Sequence, residues 1–167
     1  MKHATKTFWL RKQIWLPQPR VKVFEFFANP QNLDRLTPAW LKFALVTAAP
    51  CVAKPGTLLD YRLRLRGIAI RWQSEITAWD PPNRFIDRQT KGPYSLWVHE
   101  HLFEDYQGGS LIKDNVEYAV MGGRIVQKFL VAPDLERIFR YRHQVLEKLF
   151  NPMKRQLSTS AALEENL

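Results

Sequence analysis

The stretch Trp97-x-His99-x-His101-x-Phe103 places two imidazoles between two large aromatic side chains. At a spacing of two, all four share one face of a strand. Trp97 and Phe103 argue that this face is buried, and both histidines then go with it. By the same alternation Asp87 and Gln89 share a face with Phe85, and Asp114 shares one with Ile112, Val116 and Tyr118. Antiparallel neighbours would bring His99 or His101 near Asp87 or Asp114. Arg142, on a later helical stripe, could meet them from above.

Two kinds of chemistry suit this set. Buried polar groups need partners, so the residues could satisfy one another as an internal network. Alternatively they form a ligand-orienting or acid–base site on a cavity wall, because histidine titrates near neutral pH. In that version His99 or His101 is the general base and Asp87 or Asp114 orients it. His99 and His101 could also face one metal ion with Asp87 or Asp114. No metal is expected, however. His-x-His alone is a weak pattern, Cys51 lies outside it, and His3 and His143 sit elsewhere. No Gly-x-Ser-x-Gly, Cys–His motif or phosphate-binding glycine loop occurs.

The elements that must position these groups follow from periodicity. Thr5 to Leu16 alternates, with Phe8, Leu10, Ile14 and Leu16 on one face and Lys12 interrupting it, and predicts a half-buried strand. Arg20 to Ala28 predicts a short buried helix, stopped by Asn29-Pro30. Gln31 to Leu36 predicts a second short helix, and Trp40 to Ala48 a second strand. Thr57 to Arg66 alternates cleanly, with Leu59, Tyr61, Leu63 and Leu65 opposite Asp60, Arg62, Arg64 and Arg66. Gly67 breaks it, and Ile68 to Trp79 completes a hairpin. Further strands are predicted over Arg84 to Thr90, Tyr94 to Glu104 and Ser110 to Val120, the last two joined by a Gly108-Gly109 turn. Gly122-Gly123 offers a hinge, on glycine freedom alone.

Pro133 to Arg155 is the long helix. Leu135, Ile138, Phe139, Arg142, Leu146, Leu149 and Met153 lie on one stripe, widened by Val145 and Phe150. Asp134 is its expected N-cap and Lys154 and Arg155 suit its C-terminal end. The order is strand, two short helices, about six antiparallel strands and a terminal helix, an α+β chain. A bent antiparallel sheet wrapped around one helix leaves a cavity between them. Residues 1–155 form one expected domain and 156–167 a frayed tail.

The 167 residues carry a formal net charge of +9, with 46% hydrophobic and 13% aromatic residues. The charge permits attraction to anionic lipid, nucleic acid or small anions without choosing among them. One cysteine, Cys51, excludes an intramolecular disulfide and favours a reducing compartment. No run reaches membrane-spanning length, so a soluble cytoplasmic protein is expected. Arg62, Arg64, Arg66 and Arg71 read as a solvated outer face. Nucleic-acid binding is disfavoured, because Tyr61 alternates away from these cations.

Several runs together resemble the START-like, helix-grip (SRPBCC) superfamily across Lys6 to Phe150. They are Asn32-Leu33-Asp34-Arg35-Leu36-Thr37-Pro38 with Trp40-Leu41-Lys42-Phe43, Gly56-Thr57, and Asp60 through Gly67. Arg71-Trp72, Ile76-Thr77, Phe85 with Asp87 and Gln89, Gly92-Pro93-Tyr94 and Trp97 through Phe103 continue them. Asp114-x-Val116-x-Tyr118, Asp134 through Phe139 and Tyr141-Arg142 complete the set. More narrowly they resemble bacterial ligand-binding SRPBCC proteins, the polyketide cyclase/dehydrase-like group. The resemblance implies a curved antiparallel sheet of about seven strands around the C-terminal helix, with no cofactor. It does not fix a chemistry, since this fold serves carriers, receptors and enzymes alike.

The resulting expectation is a binder of a hydrophobic, amphipathic or aromatic small molecule. Tyr61, Leu63, Trp72, Trp97, Phe103 and Tyr118 would supply apolar wall, with Leu59. Asp87, Gln89, His99, His101, Asp114 and Arg142 would orient the ligand. The alternative is a cofactor-free cyclase, aromatase or dehydratase acting on a polyketide-like substrate. A further alternative is a lipid-related accessory protein docking peripherally on anionic membrane. Ligand identity and oligomeric state stay open.

Overall fold

The computed structural model describes residues 6–48 and 53–151. The expectations for Thr5, His3, Cys51, Met153, Lys154, Arg155 and the tail lie outside the described residues. Seven strands form one antiparallel sheet: β1 (Phe8–Leu16), β2 (Ala44–Leu45), β3 (Leu58–Leu65), β4 (Ile68–Asp80), β5 (Arg84–Lys91), β6 (Leu96–Tyr106) and β7 (Gly109–Ala119). Their spatial order is β1-β7-β6-β5-β4-β3-β2, so the chain runs as a meander from β2 to β7 and β1 closes on β7. Two short helices, α1 (Arg20–Ala28) and α2 (Leu33–Leu36), follow β1. Both two-residue hairpin loops, Arg66-Gly67 and Gln107-Gly108, have positive φ throughout. That matches the right-handed twist of the strands they join. The second loop therefore sits one residue earlier than Gly108-Gly109; Gly109 already belongs to β7.

Two sequence expectations shift. Trp40 to Ala48 is not a strand. Ala39–Leu41 is a 3₁₀ turn, Lys42 adopts a left-handed conformation (φ 46°), and only Ala44–Leu45 pairs with β3. The helix does not begin at Pro133. It starts as α3 (Gly123–Val126), widens into a π-helical stretch over Gln127–Val131, and continues as α4 (Ala132–Phe150). The widening precedes Pro133, which has no N–H to give and crowds the carbonyl one turn back. Asp134 is thus inside a helix and is not its cap. Instead it takes two hydrogen bonds from Arg66, at 2.9 and 3.2 Å, tying the β3–β4 turn to the helix. The helical run of 28 residues is roughly 40 Å long and crosses the sheet.

The concave face of the sheet buries what alternation puts there. Along β6, Trp97, His99, His101 and Phe103 are all buried. Along β7, Ile112, Asp114, Val116 and Tyr118 are buried. Two apolar clusters fill the grip. One gathers Phe24 of α1, Phe85, Phe103, Ile112, Leu146 and Phe150. The other gathers Trp72, Trp97, Val116, Tyr118, Leu135 and Phe139. Lys12, the odd residue on β1's inner face, reaches out to Glu136 on α4 at 2.7 Å. Register shifts in β4, between Gln73 and Ser74 and between Ile76 and Ala78, bend the sheet where it wraps the helix.

On the helical stripe, Leu135, Phe139, Leu146 and Phe150 are buried. Leu149 is 37% exposed, displaced from the core because Phe150 takes the inward position. Trp40 is 42% exposed and lies under the Arg137 guanidinium, 4.8 Å from the ring centroid. Leu146→Ala is expected to destabilise the protein by about 3 kcal/mol, and Leu149→Ala by less than about 1 kcal/mol. Urea unfolding measures both; equal losses would contradict this packing.

Candidate functional site

The two apolar clusters meet at a polar centre. Within β6, Trp97 belongs to one cluster and Phe103 to the other, with His99 and His101 between them. Register sets their partners directly: Asp87 of β5 lies opposite His99, and His101 lies opposite Asp114 of β7. The side chains then cross diagonally. His99 Nε2 lies 2.9 Å from Asp114 Oδ1, and His101 Nε2 lies 3.2 Å from Asp87 Oδ2. His101 Nδ1 also lies 3.0 Å from Asp114 Oδ1 but is not aligned for a hydrogen bond, so that contact acts through charge. His99 Nδ1 faces Asp87 Oδ2 at 3.8 Å. The two rings stand 3.7 Å apart, and Phe85 stacks on His101 at 4.2 Å.

A second chain of polar groups enters from β3 and β4. Trp72 Nε1 donates to Ser74 Oγ at 3.0 Å, and Ser74 donates to Asp87 Oδ1 at 3.2 Å. The Tyr61 hydroxyl lies 3.4 Å from Ser74 Oγ. From α4, Arg142 Nη1 approaches Asp114 Oδ1 at 3.8 Å, and its guanidinium lies 5.3 Å from the Phe139 ring centroid. Its Nε and Nη1 have no hydrogen-bond partner among the described residues.

Burial opposes every charge here, and the contacts decide which charges survive. Burial would raise both carboxyls. For Asp114, the close contacts of His101 and His99, His101's at 3.0 Å and His99's hydrogen bond at 2.9 Å, outweigh it together with the imidazole charges and hold the group well below the usual carboxylate range. Asp87 is lowered likewise, against its burial, by the His101 hydrogen bond, the imidazole charges and Ser74. Burial lowers both histidines. The neighbouring His101 charge adds to that for His99, which stays lowered despite Asp114 and Asp87. For His101 the contacts with Asp114 and Asp87 prevail and its pKa is raised. One imidazolium, two carboxylates and Arg142 then leave the centre near electrical balance. Since a carboxylate only accepts, neutral His99 keeps its proton on Nε2. Burial, and then the Asp87 charge, push the Tyr61 phenol far above its usual value, so it remains a neutral hydroxyl.

This centre forms one wall of a cavity of about 170 Å³ between the sheet and α4, partly open to solvent. Of the sequence-predicted residues, Tyr61, Leu63, Trp72, Asp87, Trp97, His99, His101 and Arg142 line it, as does Leu59. Asp114, Phe103 and Tyr118 lie behind that wall. Gln89 is not on it: its side chain donates to the Tyr94 carbonyl at 2.8 Å and accepts from the Tyr94 N–H, bracing the β5–β6 turn. Sequence reasoning missed Phe27, Leu36, Ser74, Tyr94 and Ile138 as cavity residues. Ser74 lies two residues from Trp72, on the same face, but nothing in a lone serine marked it.

Asp87, His99 and His101 each bring a donor atom within 4.8 Å of the others, a spacing that a divalent ion could bridge. An ion there would have to displace the His–Asp contacts. The hairpin arginines Arg62, Arg64 and Arg71 are exposed, as expected of an outer face. No helix among the described residues is long and apolar enough to cross a membrane.

The two histidines set opposite pH slopes. His101, raised, contributes stability that is full below the unfolded value of about 6.5 and lost as pH rises through its folded value. His99, lowered, contributes stability present above about 6.5 and lost as pH falls through its folded value. The thermal midpoint is therefore expected to peak near pH 6.5 (about one histidine pKa) and to decline on both sides. His101→Gln is expected to remove the alkaline decline while lowering the midpoint overall. Melts from about pH 5 to about pH 9 test this; a flat wild-type profile would contradict the assignment.

No family model matches the sequence, and no curated protein does. Solved structures do match the fold. Protein Ms6760 from Mycobacterium smegmatis superposes with a TM-score of 0.65 at 16% identity, covering 91% of this chain and 96% of its own. Ginseng major latex-like protein 151 from Panax ginseng gives 0.65 at 16%, covering 87% and 99%. Protein CV1439 from Chromobacterium violaceum gives 0.68 at 14%, covering 86% and 97%. At such identities the likeness is one of fold: the chain has the helix-grip fold, a seven-stranded antiparallel sheet closed around a long C-terminal helix.

Proposed function

We propose that the protein binds an apolar, ring-containing small molecule that carries an oxygen acceptor, in the cavity between the sheet and α4. The observation that carries this reading is an aromatic-lined cavity with Arg142 on its wall, whose Nε and Nη1 have no hydrogen-bond partner among the described residues although Asp114 lies 3.8 Å away as a charge contact. A buried donor without a partner costs about 1–3 kcal/mol, more when charged. A ligand carbonyl or carboxylate would offset that cost. Most of the rest of the wall is Leu, Ile, Phe, Tyr and Trp, which suits rings and alkyl chains, with Asn29, Asn32, Thr37 and Ser74 adding polar groups beside Asp87, His99 and His101. An apolar cavity of about 150 Å³ can hold benzene, so about 170 Å³ suits a compact ligand of one or two rings.

The enzyme reading, a cofactor-free cyclase, aromatase or dehydratase, draws on both imidazoles lining the cavity. Against it, His99 Nε2 and His101 Nε2 are tied to Asp114 and Asp87, His101 held protonated has no lone pair to offer, and the lone pair on His99 Nδ1 faces the Asp87 carboxylate at 3.8 Å. A general base must instead turn a free lone pair toward the proton it takes. The geometry favours the histidines as internal ties that fix the polar wall.

Solvent extraction of freshly purified protein followed by mass spectrometry is expected to release a small aromatic or alicyclic molecule. Thermal-shift titration is expected to rank aromatic acids and ketones above matched hydrocarbons. Arg142→Gln is expected to weaken the oxygenated compounds by about tenfold to hundredfold, the scale of a charged hydrogen bond, and to leave hydrocarbons unchanged. An empty extract with no shift from any compound would overturn the binding reading. Equal affinity for acid, ketone and hydrocarbon would remove Arg142 from it.

A further inference from the structure

The segment from Met121 to Val131 is apolar on two sides. Inward, Val126 and Val131 pack against the cluster around Trp97 and Tyr118, and Gln127 Nε2 donates to the Tyr118 hydroxyl at 3.1 Å. Outward, Met121 is 80% exposed, Ile125 74%, Phe129 64% and Leu130 42%. Met121 lies in the turn before α3, and Ile125 and Phe129 follow at steps of four. A surface helix normally turns polar residues to water; one that is apolar all round normally has something covering it. The β3–β4 turn adds to the patch. Arg66 Nη2 donates to the Leu130 carbonyl at 3.3 Å, and Ile68 beside it is 67% exposed.

Charge narrows what could cover this face. From Met121 to Pro133 the sequence holds Arg124 and Lys128 and no acid. Both cations are exposed. The first acid beyond, Asp134, is paired with Arg66. Arg62, Arg64 and Arg71 are exposed on the adjoining hairpin. A second copy of this chain would bring like charges together. Moreover, five side chains expose a few hundred Å², short of the roughly 800 Å² per partner in a standard stable interface. An apolar ridge rimmed with cations matches instead the boundary between acyl chains and anionic headgroups.

We infer that Met121, Ile125, Phe129, Leu130 and Ile68 form a peripheral docking ridge for anionic lipid surfaces, with Arg124 and Lys128 as headgroup contacts. This inference does not depend on what the cavity holds. It places the membrane contact on the first turns of the long helix and not on the arginine-rich outer sheet face.

Flotation with phosphatidylcholine vesicles, with and without phosphatidylglycerol, tests it. The protein is expected to float with anionic vesicles, at least about tenfold better than with neutral ones, and to weaken between about 50 and about 500 mM salt. Ile125→Asp with Phe129→Asp is expected to abolish flotation, with an unchanged thermal midpoint because both side chains are exposed. Arg124→Glu with Lys128→Glu is expected to lower binding to anionic vesicles by about tenfold or more and to leave the weak binding to neutral vesicles unchanged. No flotation with either vesicle, or flotation that survives the Asp pair, overturns the inference. So does sedimentation showing a dimer that the Asp pair dissociates, since the ridge would then belong to a second copy.

Discussion

Asp114 sits 1% exposed at the middle of the sheet, under the helix, and stays ionised there. An isolated carboxylate in that position would cost several kcal/mol or would take up a proton. Much of the grip's interior can be read as the answer to that cost. Two histidines approach it from β6, one of them held as an imidazolium. Arg142 comes down from α4 to 3.8 Å. Asp87 balances the second positive charge and is itself held by Ser74, which Trp72 orients. The hydrophobic core is therefore split into two clusters, with a polar centre joining β4, β5, β6, β7 and α4.

That centre also shapes the cavity. A guanidinium long enough to reach Asp114 from the helix holds the helix off the sheet at this level. Bulky aromatic residues prop the walls on either side: Tyr61 stacks on Trp72 at 5.8 Å, and Trp72 meets Trp97 edge-on at 5.3 Å. The irregularities in β4 curve the sheet away beneath them. The space left is mostly apolar, with polar groups where the polar centre reaches its wall and at Asn29, Asn32 and Thr37. Orientation of a ligand and neutralisation of a buried charge thus fall to overlapping residues. Ligand affinity and fold stability should for that reason respond together at His101 and separately at Arg142, whose tie to Asp114 is a longer charge contact rather than a hydrogen bond.

The long helix shows how one proline can mislead. Pro133 ordinarily marks a first turn, and Asp134 after it suits an N-terminal end. Here the helix runs through it, at the cost of a π-helical stretch over Gln127–Val131. That stretch carries Phe129 and Leu130, two of the five residues of the exposed ridge, so part of the segment that departs from regular helix is also uncovered. Lys42 explains the other departure. Its left-handed backbone turns Trp40 out to Arg137 and leaves Phe43 on the cavity wall. Neither the lysine nor its neighbours mark such a conformation in sequence, because glycine is the usual signal for it.

Local pattern fixed which side chains face inward, because strand alternation has a period of two and tolerates no drift over β6 or β7. From the sequence alone the two histidines, Asp114, Asp87 and Arg142 could be assigned to one interior, and the antiparallel order of the strands followed from the short turns between them. Which histidine meets which aspartate depends on register, a relation between strands, and on side-chain reach across it between residues up to fifteen apart in sequence. That Gln89 braces a turn while Ser74 lines the cavity depends on where β5 ends and β4 bends. That one helical face is exposed depends on how far the helix extends before it meets the sheet. These are properties of elements packed against each other, and no single segment carries the energy that decides them.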